Sequence, residues 1–299
     1  MIRSLLDRLA LPAWARLENP LVRRELQALP LFLGQDGNLN VKMALLAALG
    51  LGLMPCSCSC GGWPWSLLQV ALSLIPLLWG ALLINRERVA GTWELLRTTP
   101  YSDTEIVLAK ISAVLYRLSP LLALLLSGQA ASFLMTGLFA ATVFLSTTVS
   151  VNGVPVWPAM PVLAGGSEAL PLAYGLAFAM LLLTTVLDFV TNIVIGVLAS
   201  SLTASRGTAY AGAIGLRVVL SLGWIVLGAL GLGLIASPEV PASGLLALSA
   251  AAQPALWLIL ITPATALAPV ALLTGLALAA QVVLLIGLFR LVVWRVSRS

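Results

Sequence analysis

The sequence predicts an all-α integral membrane protein that crosses the bilayer six times. The first observation is composition: 60% of the 299 residues are hydrophobic and the mean hydropathy is +1.05, well above that of soluble domains. The second is the continuity of the apolar runs, which lack the alternation of membrane strands. The third is the placement of the sixteen basic residues, which fall into four groups separated by apolar sequence. Together they predict a helical bundle with both termini in the cytoplasm.

Six apolar stretches are long enough to cross a hydrocarbon core of ~30 Å, which takes roughly 20 helical residues. They lie near residues 41–60, 65–84, 107–150, 172–201, 209–236 and 271–293. The third is much longer than one crossing needs, but dividing it would move the later basic groups to the opposite side of the membrane. We therefore expect one span that extends into the cytoplasm at its start, followed by an outer insertion near residues 127–171.

The basic residues indicate the orientation, because lysine and arginine remain on the cytoplasmic side of short loops. All sixteen lie in residues 1–42, 85–117, 206–217 and 290–298. The intervening loops contain none, and six spans with cytoplasmic termini place every basic residue on one side. The net charge of +5 is therefore a topology signal, and we expect no nucleic acid partner.

Residues 1–40 are expected to form a cytoplasmic segment that lies against the membrane surface, and residues 41–299 the six-span domain. Apolar residues recur at helical spacing from Ile2, with charged residues on the opposite face, as in a helix that lies in the headgroup layer. Asn19 followed by Pro20 predicts a second helix, because asparagine is a good N-cap and proline suits the first helical position.

Several kinds of chemistry are missing from the sequence. The chain has no histidine, which excludes imidazole catalysis and the usual zinc sites. Neither Lys42 nor Lys110 ends a phosphate-binding loop of the GxxxxGK[ST] type, so ATP would be hydrolysed by another subunit. We expect no catalytic residue, metal or cofactor on this chain. Cys56, Cys58 and Cys60 leave three interpretations open: packing residues, one disulfide with a free thiol, or a Cu(I) site.

Asp188 is the one carboxylate deep within a predicted span, where an ionised group costs about 2.5–3.5 kcal/mol on insertion scales. Thr184, Thr191 and Asn192 share its helix face at i−4, i+3 and i+4. One interpretation is interhelical hydrogen bonding. The other is that Asp188, Thr191 and Asn192 line a substrate or ion pathway.

Residues 85–110 contain eight charged residues in an otherwise apolar chain. Within them, residues 92–98 predict a short helix that Pro100 ends, because the residue before proline avoids the α region. Ser102 with Glu105 three residues later predicts a capping box that starts the next helix. The window therefore predicts a short cytoplasmic helix between two helix ends. A solvated loop that only sets the topology is the simpler alternative.

Residues 87–110 read ERVAGTWELLRTTPYSDTEIVLAK, which resembles the cytoplasmic loop of ABC-2 type transporter permeases. Residues 19–26 read NPLVRREL, similar to the N-terminal motif of that family. Two weaker similarities follow in the family's order: VLASSLTASRGTAYA at 197–211 and TPATAL at 262–267. The chain departs from the family pattern at Ala109, where glycine is usual, and in its long outer insertion.

The resemblance implies a six-span half-transporter of the ABC-2 type in the cytoplasmic membrane of a prokaryote. It would dimerise with a second permease copy or a homologue, and bind ABC ATPase subunits through a coupling helix in residues 85–106. The candidate coupling residues are Glu87, Gly91, Thr92, Trp93, Glu94, Leu95, Leu96, Pro100, Ser102 and Glu105. Residues 238–270 would supply the re-entrant helices that the family often has before its last span.

The loop helix offers three apolar side chains, Trp93, Leu95 and Leu96. We expect them to form an apolar tip too small to bury itself, which a partner's surface covers. The expected function is therefore that of a permease and not an enzyme: it moves an unidentified substrate, in the export direction, with ATP hydrolysed on a separate subunit. The alternative is a non-transporting structural or assembly subunit of a larger membrane complex.

Overall fold

A computed structural model describes residues 19–28, 63–146, 150–151, 154–155, 169–203, 205–235 and 267–298. The helices are α1 (Pro20–Ala28), α2 (Trp63–Val89), α3 (Trp93–Arg97), α4 (Asp103–Ser146), α5 (Ala169–Leu202), α6 (Arg206–Ile235) and α7 (Leu267–Ser297). Two strands, β1 (Ser150–Val151) and β2 (Val154–Pro155), pair antiparallel between α4 and α5. Apart from this two-residue pair, the regular structure of the described ranges is helical, which confirms the predicted class.

Five of the six predicted spans coincide with long helices, namely α2 and α4 to α7. The first predicted span, near residues 41–60, lies outside the described residues. Three described segments are long and apolar enough to cross a membrane: Asp103–Ala131, Phe178–Leu202 and Leu278–Ser297. The chain thus has membrane-spanning character, and the count of six spans stays a prediction.

The helix α4 runs without a break for 44 residues, with Pro120 inside it. At about 1.5 Å per residue, its length is roughly twice the thickness of the hydrocarbon core. The helix continues through residues 127–146, the first part of the predicted outer insertion. The described remainder of that insertion is the β1–β2 pair and the first turn of α5. No break marks a division of α4 into two spans.

The helix α5 lies at the centre of the bundle and packs against α2, α4, α6 and α7. Its residues 191–201 are buried throughout. The closest approach is to α2, where Gly80 and Gly196 face each other. A Cβ atom on Gly80 would overlap the carbonyl oxygen of Ile193, and one on Gly196 would overlap that of Leu77. Glycine at both positions therefore lets the two helix backbones touch.

Polar side chains join the C-terminal end of α5 to α2. The hydroxyl of Ser200 accepts the backbone N–H of Asn85 at 2.7 Å, and the Asn85 amide donates to the carbonyl of Thr203 at 3.3 Å. One turn further along α2, Arg88 donates to the carbonyl of Ser201 at 3.0 Å. Carbonyl groups at a helix end need such donors, and here the neighbouring helix supplies them.

Apolar side chains are exposed along the outer faces of α6 and α7. They include Val218, Val219, Leu222, Val226, Val282, Val283 and Ile286. Single exposed apolar residues are common in soluble proteins, but these repeat from Val218 to Val226 on α6 and from Val282 to Ile286 on α7. A surface of this kind suits hydrocarbon, which agrees with the hydropathy of the sequence.

The second of the two predicted N-terminal helices is confirmed. Helix α1 begins at Pro20, and the Asn19 side chain accepts the N–H of Leu21 at 2.9 Å as its cap. The predicted surface helix that starts near Ile2 and the three cysteines lie outside the described residues. So does the predicted re-entrant segment, except residues 267–270, which form the first turn of α7.

Candidate functional site

The segment between α2 and α4 begins with a glycine turn. Gly91 adopts a φ of 68°, a left-handed conformation that glycine adopts without a steric penalty. Its N–H donates to the carbonyl of Arg88 at 3.1 Å, and the N–H of Thr92 donates to the carbonyl of Glu87 at 3.0 Å. These bonds satisfy carbonyls at the end of α2 and turn the chain into α3, the short helix that the sequence predicts.

The segment ends with the predicted capping box. The Thr98 hydroxyl donates to the carbonyl of Leu95 at 2.8 Å, which closes α3. The Ser102 N–H then donates to the Glu105 carboxylate at 2.9 Å, and the Glu105 N–H donates to the Ser102 hydroxyl at 3.3 Å. This reciprocal pair starts α4 as expected. Pro100 lies exposed between the two helices.

The faces of α3 differ from the expected apolar tip. Trp93 and Leu96 are only 3% and 2% exposed and belong to the main hydrophobic core of the bundle. Leu95, in contrast, is 66% exposed, and Glu94 beside it is exposed too. The expectation that all three apolar side chains await a partner is therefore wrong for Trp93 and Leu96. Residues i and i+3 share one helix face, so both point into the bundle together.

A group of four charged side chains, three of them buried, lies directly behind α3, and we call it the Lys110 cluster (Arg24, Glu25, Glu87 and Lys110). The Lys110 ammonium lies 2.7 Å from the Glu25 carboxylate and 3.3 Å from that of Glu87. Arg24 lies 3.3 Å from the second Glu87 oxygen. Lys110, Glu25 and Glu87 have side chains 3%, 7% and 9% exposed, so these charges rely on one another for solvation.

Glu87 connects this cluster to α3, because its carboxylate also accepts a hydrogen bond from the Thr92 hydroxyl. Burial alone would raise the pKa of Glu87. The charge of Lys110, the Thr92 hydroxyl and the charge of Arg24 outweigh burial and hold the pKa of Glu87 below its ordinary value. Glu87 therefore stays ionised near neutral pH and ties α1, α2 and α4 to the residue that precedes α3.

Sequence reasoning named Glu87 and Thr92 as candidate site residues. It missed Arg24 and Lys110, which pair with Glu87, and Glu25, which pairs with Lys110. The Lys110 and Glu25 side chains meet across 85 residues of chain. No local spacing reports such a contact. The small number of charged residues was a usable signal. In a chain this apolar, a charged side chain near a helix end needs a partner of opposite charge.

Asp188 has a direct ionic partner on the neighbouring helix. The Arg217 guanidinium on α6 lies 2.7 Å from one oxygen of the Asp188 carboxylate and 2.9 Å from the other. The Asp188 and Arg217 side chains are 33% and 22% exposed, so this pair is less enclosed than the Lys110 cluster. The sequence analysis counted Arg217 with a cytoplasmic loop. In the structure Arg217 lies eleven residues inside α6, which begins at Arg206, and its predicted position on the cytoplasmic side stays a prediction.

The other candidate pathway residues make internal hydrogen bonds. Asn192 donates to the carbonyl of Ser73 on α2 at 3.2 Å and to Asp188 at 3.4 Å. The Thr191 hydroxyl donates to the carbonyl of Leu187 in its own helix at 2.7 Å. Asn192 thus makes the interhelical contact of the first interpretation. Among the described residues, no three side chains of the types that bind metals come together.

A protein-family model described as "ABC-2 family transporter protein" matches residues 26–294. The matched region begins inside α1 and ends near the C-terminus of α7, so it includes Glu87, Lys110, α3 and the Asp188–Arg217 pair. Arg24 and Glu25 of the Lys110 cluster lie just before it. No curated protein and no solved structure matches the chain.

Proposed function

This chain belongs to the ABC-2 family of transporter proteins, and we propose that it is the membrane-spanning permease subunit of an ATP-binding cassette transporter. In this role it moves a substrate, in the export direction, across the cytoplasmic membrane of a prokaryote. Two permease chains, identical or homologous, form the pathway with six spans each and cytoplasmic termini. ATP is hydrolysed on separate ATPase subunits, because this sequence lacks a GxxxxGK[ST] loop.

The observation that carries this proposal is the two-sided character of α3. Its inner side, Trp93 and Leu96, is part of the core, while Leu95 and Glu94 face outward. An exposed leucine beside a carboxylate at the end of a membrane bundle suits a shallow contact on a partner protein. We assign that contact to an ATPase subunit.

The inner side of α3 gives this contact a mechanical consequence. Trp93 and Leu96 share one core cluster with Ile106 and Val107 at the start of α4. Glu87, at the end of α2, joins the turn before α3 to Lys110 on α4. A displacement of α3 by a closing ATPase dimer would therefore move the ends of α2 and α4 together. Such a movement can shift the equilibrium between inward-facing and outward-facing arrangements.

The test changes Leu95, because its side chain is exposed and available to a partner. Leu96 is unsuitable because it is buried in the core. We expect Leu95→Asp to leave insertion and dimerisation intact and to lower affinity for the ATPase at least tenfold, because an apolar contact is lost and a charge loses its solvation. Leu202→Asp is the matched control, since Leu202 is 57% exposed at the end of α5 and lies outside α3. Recovery of the ATPase with a tagged permease, together with a size-exclusion profile, measures the outcome.

Full ATPase recovery and full stimulated turnover in Leu95→Asp would contradict the docking role of α3. If the unmodified permease stimulated no ATPase at all, the result would instead favour a structural or assembly subunit of a larger membrane complex. Loss of ATPase recovery in both Leu95→Asp and Leu202→Asp would place the contact across a wider surface than α3.

A further inference from the structure

A pocket lies beside α3, where the ends of α2 and α7 meet it. Its volume is about 350 Å³, and it is lined by Arg88, Gly91, Trp93, Glu94 and Arg295. The end of α7 is also joined to α3 directly, because Arg97 donates to the carbonyl of Ser297 at 3.4 Å. The adjoining ends of α2 and α3 and the distant end of α7 therefore build one concave site, which we call the α3–α7 pocket.

Positive charge dominates this pocket. Arg88 and Arg295 face a single carboxylate, that of Glu94. Burial and, after it, the charge of Arg295 lower the pKa of Arg88, while the charge of Glu94 acts in the opposite direction. Two arginines that line one pocket with a single carboxylate leave a net positive charge, which attracts a further anion.

Unused hydrogen-bond donors line the same pocket. Arg88 Nη2, Trp93 Nε1 and Arg295 Nε are shielded from water and have no hydrogen-bond partner among the described residues. Arg88 uses its other terminal nitrogen to bind the carbonyl of Ser201 at 3.0 Å. Trp93 is only 3% exposed, so its indole N–H cannot turn to solvent. All three atoms are donors, and no side-chain acceptor of the five lining residues is both buried and unpartnered.

The geometry points to a phosphate-binding site: the α3–α7 pocket holds a phosphate group, carried by an anionic lipid of the cytoplasmic leaflet or by a free phosphate ester. A phosphate presents several tetrahedral oxygens, which suits donors that come from three separate elements. Its negative charge offsets the net positive charge of Arg88, Arg295 and Glu94. Arginine is the side chain best shaped for this anion, through two parallel N–H groups.

The surroundings of the pocket agree with a source in the membrane. Trp294, next to Arg295 in sequence, is 48% exposed, and the Arg298 guanidinium lies over its ring at 4.3 Å. Leu291, one turn earlier, is 45% exposed. Tryptophan and arginine beside exposed leucine are typical of a helix end at the headgroup level. A lipid phosphate at that level is within reach of Arg295.

This inference does not depend on an ATPase, so the purified permease alone can test it. The measurement is the melting temperature of the detergent-solubilised chain, titrated with inorganic phosphate or with short-chain phosphatidic acid below its micellar concentration. Sodium chloride and sodium acetate at equal ionic strength serve as references. A ligand that binds only the folded protein raises its melting temperature as its concentration exceeds Kd.

We expect a rise with both phosphate compounds and none with chloride or acetate. Arg295→Gln should weaken phosphate binding at least tenfold, whereas the control Arg290→Gln, an exposed arginine on the same helix, should bind as the unmodified protein does. Trp93→Phe removes only the indole N–H and should weaken binding several-fold. If Arg295→Gln does not fold, the phosphate affinities of Trp93→Phe and Arg295→Lys are compared with that of Arg290→Gln instead.

The relative affinities assign the source. Phosphatidic acid that binds at least tenfold more tightly than inorganic phosphate supports a lipid headgroup, and equal affinities support a free phosphate ester. The proposal is overturned if neither compound raises the melting temperature, if acetate does so equally well, or if Arg290→Gln loses as much affinity as Arg295→Gln. Stabilisation by acetate would instead favour a carboxylate from a partner protein.

Discussion

Water reaches two ionic groups of this molecule to different extents. In the Lys110 cluster, the Lys110 and Glu25 side chains are 3% and 7% exposed, whereas Asp188 and Arg217 are 33% and 22% exposed. A fully enclosed charge depends on its partners, because separating them leaves an ion without solvation. A partly exposed pair keeps some solvation and can separate at a lower cost. The difference suggests that the cluster fixes the base of α3, while the Asp188–Arg217 pair is the part able to rearrange.

Their positions in the bundle support the same division. The Lys110 cluster joins α1, α2 and α4 at the side where α3 emerges. The Asp188–Arg217 pair joins α5 to α6, whose outer face is apolar and exposed. A rigid joint beside α3 and a separable pair between α5 and α6 would suit the transport cycle proposed above.

The largest expected effect comes from removing the lysine of the cluster. Lys110→Met leaves Glu25 and Glu87 buried without their shared cation, which should cost about 3–5 kcal/mol of stability. Thermal unfolding of the purified permease measures the loss, with Arg290→Met on the exposed surface of α7 as control. Adding Glu25→Gln to Lys110→Met should recover part of it. Equal melting temperatures for Lys110→Met and Arg290→Met would remove the distinction between the two ionic groups.

A second comparison uses neighbouring leucines of α3. Leu96→Ala should destabilise the protein by about 2–5 kcal/mol because Leu96 is in the core, and Leu95→Ala should change stability by less than about 0.5 kcal/mol. Both variants are compared by denaturant or thermal unfolding under the same detergent conditions. Similar losses from the two substitutions would show that α3 is not held to the bundle by one face.

The acid sensitivity of Glu87 gives a smaller effect. The pKa of Glu87 is lower in the folded protein than its ordinary value of 4.5, so the unfolded chain binds the proton more readily. The stability from this carboxylate is therefore present above pH 4.5 and is lost as the pH falls through the folded-state pKa. Glu87→Gln should reduce the slope of stability against pH in that window. Unchanged slopes would mean that the pKa of Glu87 is the same in the folded and the unfolded chain, which would contradict the stabilising role of Lys110, Thr92 and Arg24.

The smallest effect on stability is expected for the exposed pair. Asp188→Asn should lower stability by about 1 kcal/mol or less, since a partly solvated ion pair contributes little. We expect it to lower transport-coupled ATPase turnover by a larger factor, and Arg217→Gln to do the same. Unchanged turnover with a clearly lower melting temperature would favour the packing interpretation of Asp188.

Local signals in the sequence predicted local structure correctly. The cap at Asn19 and the capping box at Ser102 depend on residues two or three positions apart, and both are present. Continuous apolar runs predicted α2 and α4 to α7, because a helix in hydrocarbon must satisfy its own backbone hydrogen bonds. These features need no knowledge of the tertiary arrangement.

Contacts between distant segments were beyond such reasoning. Glu25 contacts Lys110, and Asp188 contacts Arg217, because the helices that carry them pack together. The number of residues between the members of each pair matches no sequence motif. The sequence also did not reveal which side of α3 faces the bundle. A helix of five residues is too short to show a periodic apolar face. Only the packed structure shows that Leu96 is covered and Leu95 is not.

The measurement that tests the account most directly is site-specific photo-crosslinking from α3 in intact membranes. A photoreactive residue replaces Leu95 in one variant and Leu202, exposed at the end of α5, in the other. If α3 docks on an ATPase, position 95 yields a crosslinked product of the permease and an ATPase subunit, and position 202 yields none. A product from position 202 alone, or no ATPase product from position 95 in a membrane where the transporter is active, would contradict it.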